Sequence, residues 1–181
     1  NIADAGVLGY SYLPWSGNAL QCSYGCVVEQ TSGGGFGGGR HVLTHEVGHA
    51  LGLYHTFHGV DEVTQCGPCY ENPNDPGADQ LGDHCADTRP TPTNYGCFDV
   101  AGVSPCNGAA WAPTDYRNYM GYAPTSCQTH FSAQQVARMR CWTQQALAPW
   151  IIGVKITADN TFGPAPLTVN FEGQASQTAT S

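Results

Sequence analysis

His45-Glu46-Val47-Gly48-His49-Ala50-Leu51-Gly52-Leu53-Tyr54-His55 is the stretch on which the reading of this chain turns. His45 and His49 are four residues apart, so on a helix their imidazoles stand on one face, one turn apart, and can grip a single metal ion. Glu46 lies beside His45 and can reach a water at that ion without being a ligand itself. Gly52 follows three residues after His49. With no Cβ, it lets the chain leave the helix through a left-handed conformation and turn sharply. The turn carries His55 back as a third ligand. Three histidines with one position left open describe a catalytic zinc site, since a structural site is closed by four protein ligands.

The plainer reading is a helix with a few unconnected core or surface histidines. It requires the full pattern H-E-x-x-H-x-x-G-x-x-H to be coincidence. It also requires coincidence at Asn118-Tyr119-Met120-Gly121-Tyr122, which resembles the Met-turn beneath the zinc of metzincins.

Composition bounds the rest. A chain of 181 residues makes one domain, or a domain and a fragment, and is long enough to bury a core. A net charge of -8 opposes binding to nucleic acid, whose phosphates need Lys and Arg, and to anionic lipid. The longest apolar run, Ala146 to Ile156, is interrupted by Pro149 and Lys155 and cannot span a bilayer. Nine cysteines with few charges point to an oxidising compartment, secreted or periplasmic, and an odd number means that at least one thiol is free, pairs with a part outside this sequence or pairs between molecules. Cys66-Gly67-Pro68-Cys69 has no second pair at zinc-ribbon spacing, so it does not read as a metal knuckle. The chain starts at Asn1 with no signal peptide, as expected for a piece of a longer secreted precursor. No feature specifies an oligomeric state.

The pattern along the chain predicts short extended segments over 6–14 and 26–29. The glycine-rich run 33–39 reads as a loop; no Lys-Ser/Thr follows it, as a phosphate cradle would need. The active-site helix is expected over 40–51. It holds Thr44 and valines, weak helix formers, so burial must support it. His41, one turn before His45, reads as a polar neighbour. From 58 to 113 no period persists, and a stretch so long and irregular needs disulfides or ions to hold it. The run Gly82-Asp83-His84-Cys85-Ala86-Asp87-Thr88 offers carboxylate, carbonyl and hydroxyl oxygens, the hard ligands of calcium; an ordinary Asp-rich turn offers the same groups. A helix over 132–148 is predicted, with a capping box from Ser132 and Gln135, an apolar face through Val136 and Met139, and a stop at Pro149. Beyond 152 the texture becomes strand-like, and a domain boundary is placed there.

Several motifs in one order carry a resemblance: the zinc pattern followed by Leu53-Tyr54-His55-Thr56-Phe57, then Gly82-Asp83 and Asp87-Thr88, then Asn118-Tyr119-Met120 with Tyr122, then Cys127 to Phe131, Gln135, Arg138 and Met139. Over roughly 5–147 the chain resembles pappalysin-type metzincins. The resemblance implies an α+β metzincin fold, with an upper sheet-and-helix subdomain over an irregular, disulfide-stapled lower one ending in a helix. It also implies further strands and a backing helix ahead of the first segment.

By position, the resemblance makes His45, His49 and His55 the zinc ligands and Glu46 the general base. Met120 lies beneath the metal, and Tyr122 assists the transition state. Asp83, the Ala86 carbonyl and Thr88 match a calcium site. The family's disulfides would join Cys66 or Cys69 to Cys97, and Cys106 to Cys127. The family pattern has Asp where Gly121 stands. Basic-specific members carry an acid where Ser126 stands, so the resemblance does not extend to a preference for Arg or Lys. Residues 153–181 resemble the opening of a PKD-type β-sandwich. The implied function is a secreted zinc endopeptidase acting on polypeptides, with catalytic Zn2+ and structural Ca2+. The alternative is a zinc- and calcium-binding fragment of such a protease that does not turn over substrate.

Overall fold

The computed structural model describes residues 8–17, 19, 26–28, 41–147, 154–158 and 171–175. Strand β1 (Gly9–Tyr10) pairs antiparallel with β2 (Val27–Val28), Gly9 facing Val28 and Tyr10 facing Val27. Both are shorter than the extended segments expected. The glycine run 33–39 and the segment ahead of residue 8 lie outside the described residues.

Helix α1 (Val42–Ala50) carries the zinc pattern, and α2 (His58–Asp61) is a single turn where no period was visible. Helix α1 ends by the device its sequence calls for. Gly52 has φ +95°; its N–H bonds the His49 carbonyl at 2.9 Å and the Leu53 N–H reaches back to the Gly48 carbonyl at 3.0 Å. This pair of bonds is the Schellman closure, which satisfies orphan carbonyls and reverses the chain. Glu46 and Gly48 are the buried residues of α1, and His45 and His49 are partly buried beside them.

Helix α3 (Ala133–Gln145) begins at Ser132 with the expected capping box: the Gln135 N–H donates to Ser132 Oγ at 3.1 Å, and the Ser132 N–H donates to Gln135 Oε1 at 2.8 Å. Asp87 adds a negative charge at this end, accepting from Ser132 Oγ at 2.6 Å and from the Gln134 N–H at 2.9 Å, where the helix dipole favours it. The helix stops at Gln145, before Pro149 is reached. Its apolar stripe is only half-buried; the one fully buried residue is Gln135, whose amide oxygen also accepts from Asn118 Nδ2 at 2.9 Å. Ser132→Ala removes both the cap and the Asp87 bond, and is expected to cost about 1–2 kcal/mol of stability, read as a shift in urea midpoint with unchanged slope.

Between α2 and α3 the chain is irregular and held by side chains. Asp61 accepts from the Thr93 N–H and hydroxyl at 2.6 and 2.7 Å, and the Arg89 guanidinium donates to the carbonyls of Trp111 and Ala110 at 2.9 and 3.0 Å. Val60, Tyr70 and Trp111 form a buried apolar cluster, with Val63, Val100 and Cys106 packed against it.

The disulfide pairing differs from the one expected. Cys66 bonds Cys106 and Cys97 bonds Cys127, with Cα separations of 5.5 and 5.8 Å. The backbone bridge between Val103 and Ala110 folds the intervening loop onto the cluster and sets Cys106 beside the chain that follows α2. Cys97 is thereby left to tie its loop to the segment after Met120. Among the described residues Cys26, Cys69, Cys85 and Cys141 remain thiols, so Cys69 is not a disulfide partner.

Strands β3 (Val154–Ala158) and β4 (Phe171–Ala175) pair antiparallel, Val154 facing Ala175 and Ala158 facing Phe171.

Candidate active site

Helical spacing on α1 puts His45 and His49 one turn apart, and the Gly52 turn returns His55 to them. The three Nε2 atoms form a near-equilateral triangle: 3.1 Å from His49 to His45, 3.1 Å from His49 to His55 and 3.2 Å from His55 to His45. Two adjacent nitrogens of a tetrahedral zinc site stand about 3.3 Å apart, given zinc–nitrogen bonds near 2.0–2.1 Å.

The other ring nitrogens explain why these contacts are not hydrogen bonds. His45 Nδ1 donates to the Tyr119 carbonyl at 2.7 Å, His49 Nδ1 to the Leu53 carbonyl at 2.8 Å, and His55 Nδ1 to Glu62 Oε1 at 2.7 Å. A carbonyl or carboxylate can only accept, so each Nδ1 carries the proton. In a neutral ring the Nε2 then holds a bare lone pair. Burial, joined by the neighbouring His49 for His45 and by His55 for His49, lowers their pKa values to about 3 and about 4, so both rings are neutral at pH 7. The lone pairs of His45 and His49 therefore face each other and the His55 Nε2 across a gap that a cation can fill. The donor set fits zinc in charge, softness and spacing.

Glu46 lies on the buried side, 5 % exposed, and its Oε2 has no hydrogen-bond partner. Burial pushes its carboxyl up to about 7. Its pocket is shared with Tyr122, which is 42 % exposed and sets its ring 4.9 Å from that of His55. Burial raises the Tyr122 hydroxyl above its ordinary pKa, with Glu62 adding to the shift, so it keeps its proton as a donor.

Met120 is fully buried beneath α1: a Cβ built on Gly48 would come within 2.4 Å of its Sδ. Gly48 is what permits this approach. The Asn118 side chain ties the turn, accepting from the Met120 N–H at 3.0 Å, while the Tyr119 carbonyl orients His45. On the opposite side Arg138 Nε donates to the Gly52 carbonyl at 2.7 Å, and the Trp142 ring packs where a side chain on Gly52 would go.

The cleft over the triad is about 850 Å³, walled on one side by Leu8 to Ser11 and on the other by Gly121 to Thr125 with Gln128. The latter wall carries no charge. Ser126 is exposed and outside the lining, and His41 lines the cleft without joining the nitrogen triangle.

Asp83 and Thr88 meet as the sequence suggests. Thr88 Oγ1 donates to Asp83 Oδ2 at 2.6 Å, and Asp83 Oδ1 accepts from the Cys85 N–H at 3.0 Å; the Ala86 N–H is taken by Gln134 at 2.6 Å. Glu71 joins them with no sequence signal of its own. It is 2 % exposed, and its Oε1 has no partner. Burial drives its carboxyl up to about 8, with the charge of Asp83 adding to it, and burial pushes Asp83 up to about 7. Glu62, which links His55 to His58, is the second contributor that no pattern marked. Burial opposes its ionisation, but the two imidazole hydrogen bonds together outweigh this and hold it down at about 2.

Residues 36–144 match the family model described as pregnancy-associated plasma protein-A. The chain belongs to that family. Human pappalysin-1 is 38% identical over 144 residues, which are 78% of this chain and 9% of pappalysin-1. The extracellular metalloprotease 1 of Coccidioides posadasii is 34% identical, over 77% of this chain and 46% of its own length. Mature mirolysin of Tannerella forsythia, solved in complex with a cleaved peptide, superposes with TM-score 0.52 at 25% identity, covering 79% of this chain and 50% of that one. This chain thus spans about half or less of each of these relatives. Its fold is part of the metzincin fold, and its family is one of metalloproteases. The pregnancy-associated plasma protein-A match takes in α1, the Met120 turn and nearly all of α3, and stops ahead of β3.

Proposed function

We propose that this chain carries the active site of a secreted zinc endopeptidase, with His45, His49 and His55 as ligands and Glu46 as general base. The observation that carries the reading is the triangle of three Nε2 atoms, with every Nδ1 already engaged by an acceptor. When bound, zinc supplies Lewis acidity, lowering the pKa of water to about 7. Glu46 takes the proton of the attacking water and delivers it to the leaving amine. A cation beside it stabilises its carboxylate and counteracts the burial that raises its pKa. Tyr122 donates its hydroxyl to the oxyanion that develops on the peptide carbonyl. The polypeptide lies extended against the β2 edge near Cys26, where main-chain hydrogen bonds hold it. Met120 supports the metal-binding helix from below.

Metal analysis and casein hydrolysis on the same preparation test this. One zinc per chain with chelator-sensitive cleavage is the expected result. Zinc bound without turnover supports the alternative of an incompetent metal-binding fragment, and absence of zinc removes the reading.

A second cation, calcium, is assigned to Asp83, Thr88 and the Ala86 carbonyl, with Glu71 added to the set. Two buried carboxyls, one with an unpartnered oxygen, support it: a hard cation satisfies both charges at once. Calcium at a hundredfold excess over its Kd is expected to stabilise the protein by about 2.7 kcal/mol, read as a rise in Tm. Asp83→Asn should lose this response and retain zinc. No response in the wild type removes calcium from the assignment. Residues 1–152 are read as the catalytic domain and 153–181 as the start of a PKD-like β-sandwich, supported by β3 pairing with β4.

A further inference from the structure

We infer that Glu62 is a positioning residue for the third histidine, and that His58 exists in this loop to hold Glu62 in place. The inference rests on the zinc reading above and adds to it a carboxylate clamp built by α2. One carboxylate serves two imidazoles: Oε1 accepts from His55 Nδ1 at 2.7 Å and Oε2 accepts from His58 Nδ1 at 2.8 Å. Helix α2 supplies the spacing, since Glu62 follows it directly and its N–H bonds the His58 carbonyl one turn back, at 3.3 Å. Each ring is fixed by a stacked neighbour. His58 lies on Tyr54 with centroids 4.1 Å apart and planes 9° apart, and His55 lies on Phe57 at 4.5 Å and 12°.

The three members of the triad are not oriented alike. His45 and His49 donate to backbone carbonyls, which the fold fixes. His55 sits beyond the Gly52 turn, off the helix, and donates to an ionisable side chain instead. A carboxylate in this place selects the tautomer, makes the imidazole a stronger donor to the metal and contributes negative charge against a dication held by three neutral rings. The Glu62 side chain is 35 % exposed, so without a second partner it would sample other rotamers; His58, 23 % exposed, supplies that partner.

The test is zinc affinity, measured by competition with a chromophoric chelator, beside the Tm of the metal-free protein and the visible spectrum of the cobalt-substituted protein. Glu62→Ala should weaken zinc binding by about 10–100-fold and alter the cobalt spectrum, while the metal-free Tm stays near wild type. Glu62→Gln keeps an oxygen acceptor without the charge and should lose less. His58→Ala should lose less than Glu62→Ala, because Glu62 still reaches His55. Wild-type zinc affinity in both Glu62 variants overturns the inference, as does a loss of affinity that only follows a fall in metal-free Tm. A wild-type chain that binds no zinc overturns the zinc reading and this inference together.

Discussion

Glu46→Ala is expected to lower kcat/KM for peptide hydrolysis by about 10²–10⁴-fold and to leave zinc content at one per chain. The two halves of this result come from different parts of the site. Hydrolysis depends on Glu46 because it is the one carboxylate in the pocket with a buried oxygen that nothing in the protein engages. Glu62, the other acid in the lining, has both oxygens committed to imidazoles. Zinc retention follows because the ligand set is complete without Glu46, with three Nε2 atoms within 3.2 Å of one another. Steady-state kinetics and elemental analysis on one sample check both. Near wild-type turnover in Glu46→Ala removes it as the base. Loss of zinc would instead make it part of the metal-binding framework.

The largest expected effect on stability is at Gly52. Gly52→Ala places a Cβ at φ +95°, where an L side chain is strained, and 2.2 Å from Trp142 Cδ1. Backbone strain and overpacking each cost about 1–3 kcal/mol, so the sum is about 2–6 kcal/mol, near half of what a domain this size commonly has. The indole cannot retreat cheaply, since it is packed against Trp15 at 4.8 Å. The consequence for function is specific. The turn at Gly52 delivers both the Leu53 carbonyl that orients His49 and the chain that carries His55. Zinc affinity should fall with stability here, measured by denaturant titration and chelator competition. A variant as stable as wild type would mean that the turn can be made another way.

Much of the site was legible in the sequence because it is local. Within α1 and its turn, period 3.6 and a left-handed glycine are enough to bring three imidazoles together. The capping box at Ser132 was equally readable, since its partners are three residues apart. The irregular lower half was not. Cys66, Cys97, Cys106 and Cys127 all form disulfides, but which pairs with which depends on how the loop from Val103 to Ala110 folds over Trp111, a contact with no periodic signature. Glu71 and Glu62 escaped notice for the same reason: an acid in a loop looks solvated until the fold buries it or aims it at a ring. Chain order and spacing alone thus determined the histidine-bearing helix, its stop and which three imidazoles meet. Only tertiary packing decided their protonation, through the Tyr119 and Leu53 carbonyls and the Glu62 carboxylate, because a tautomer is set by what lies across the hydrogen bond and not by what lies next in the chain.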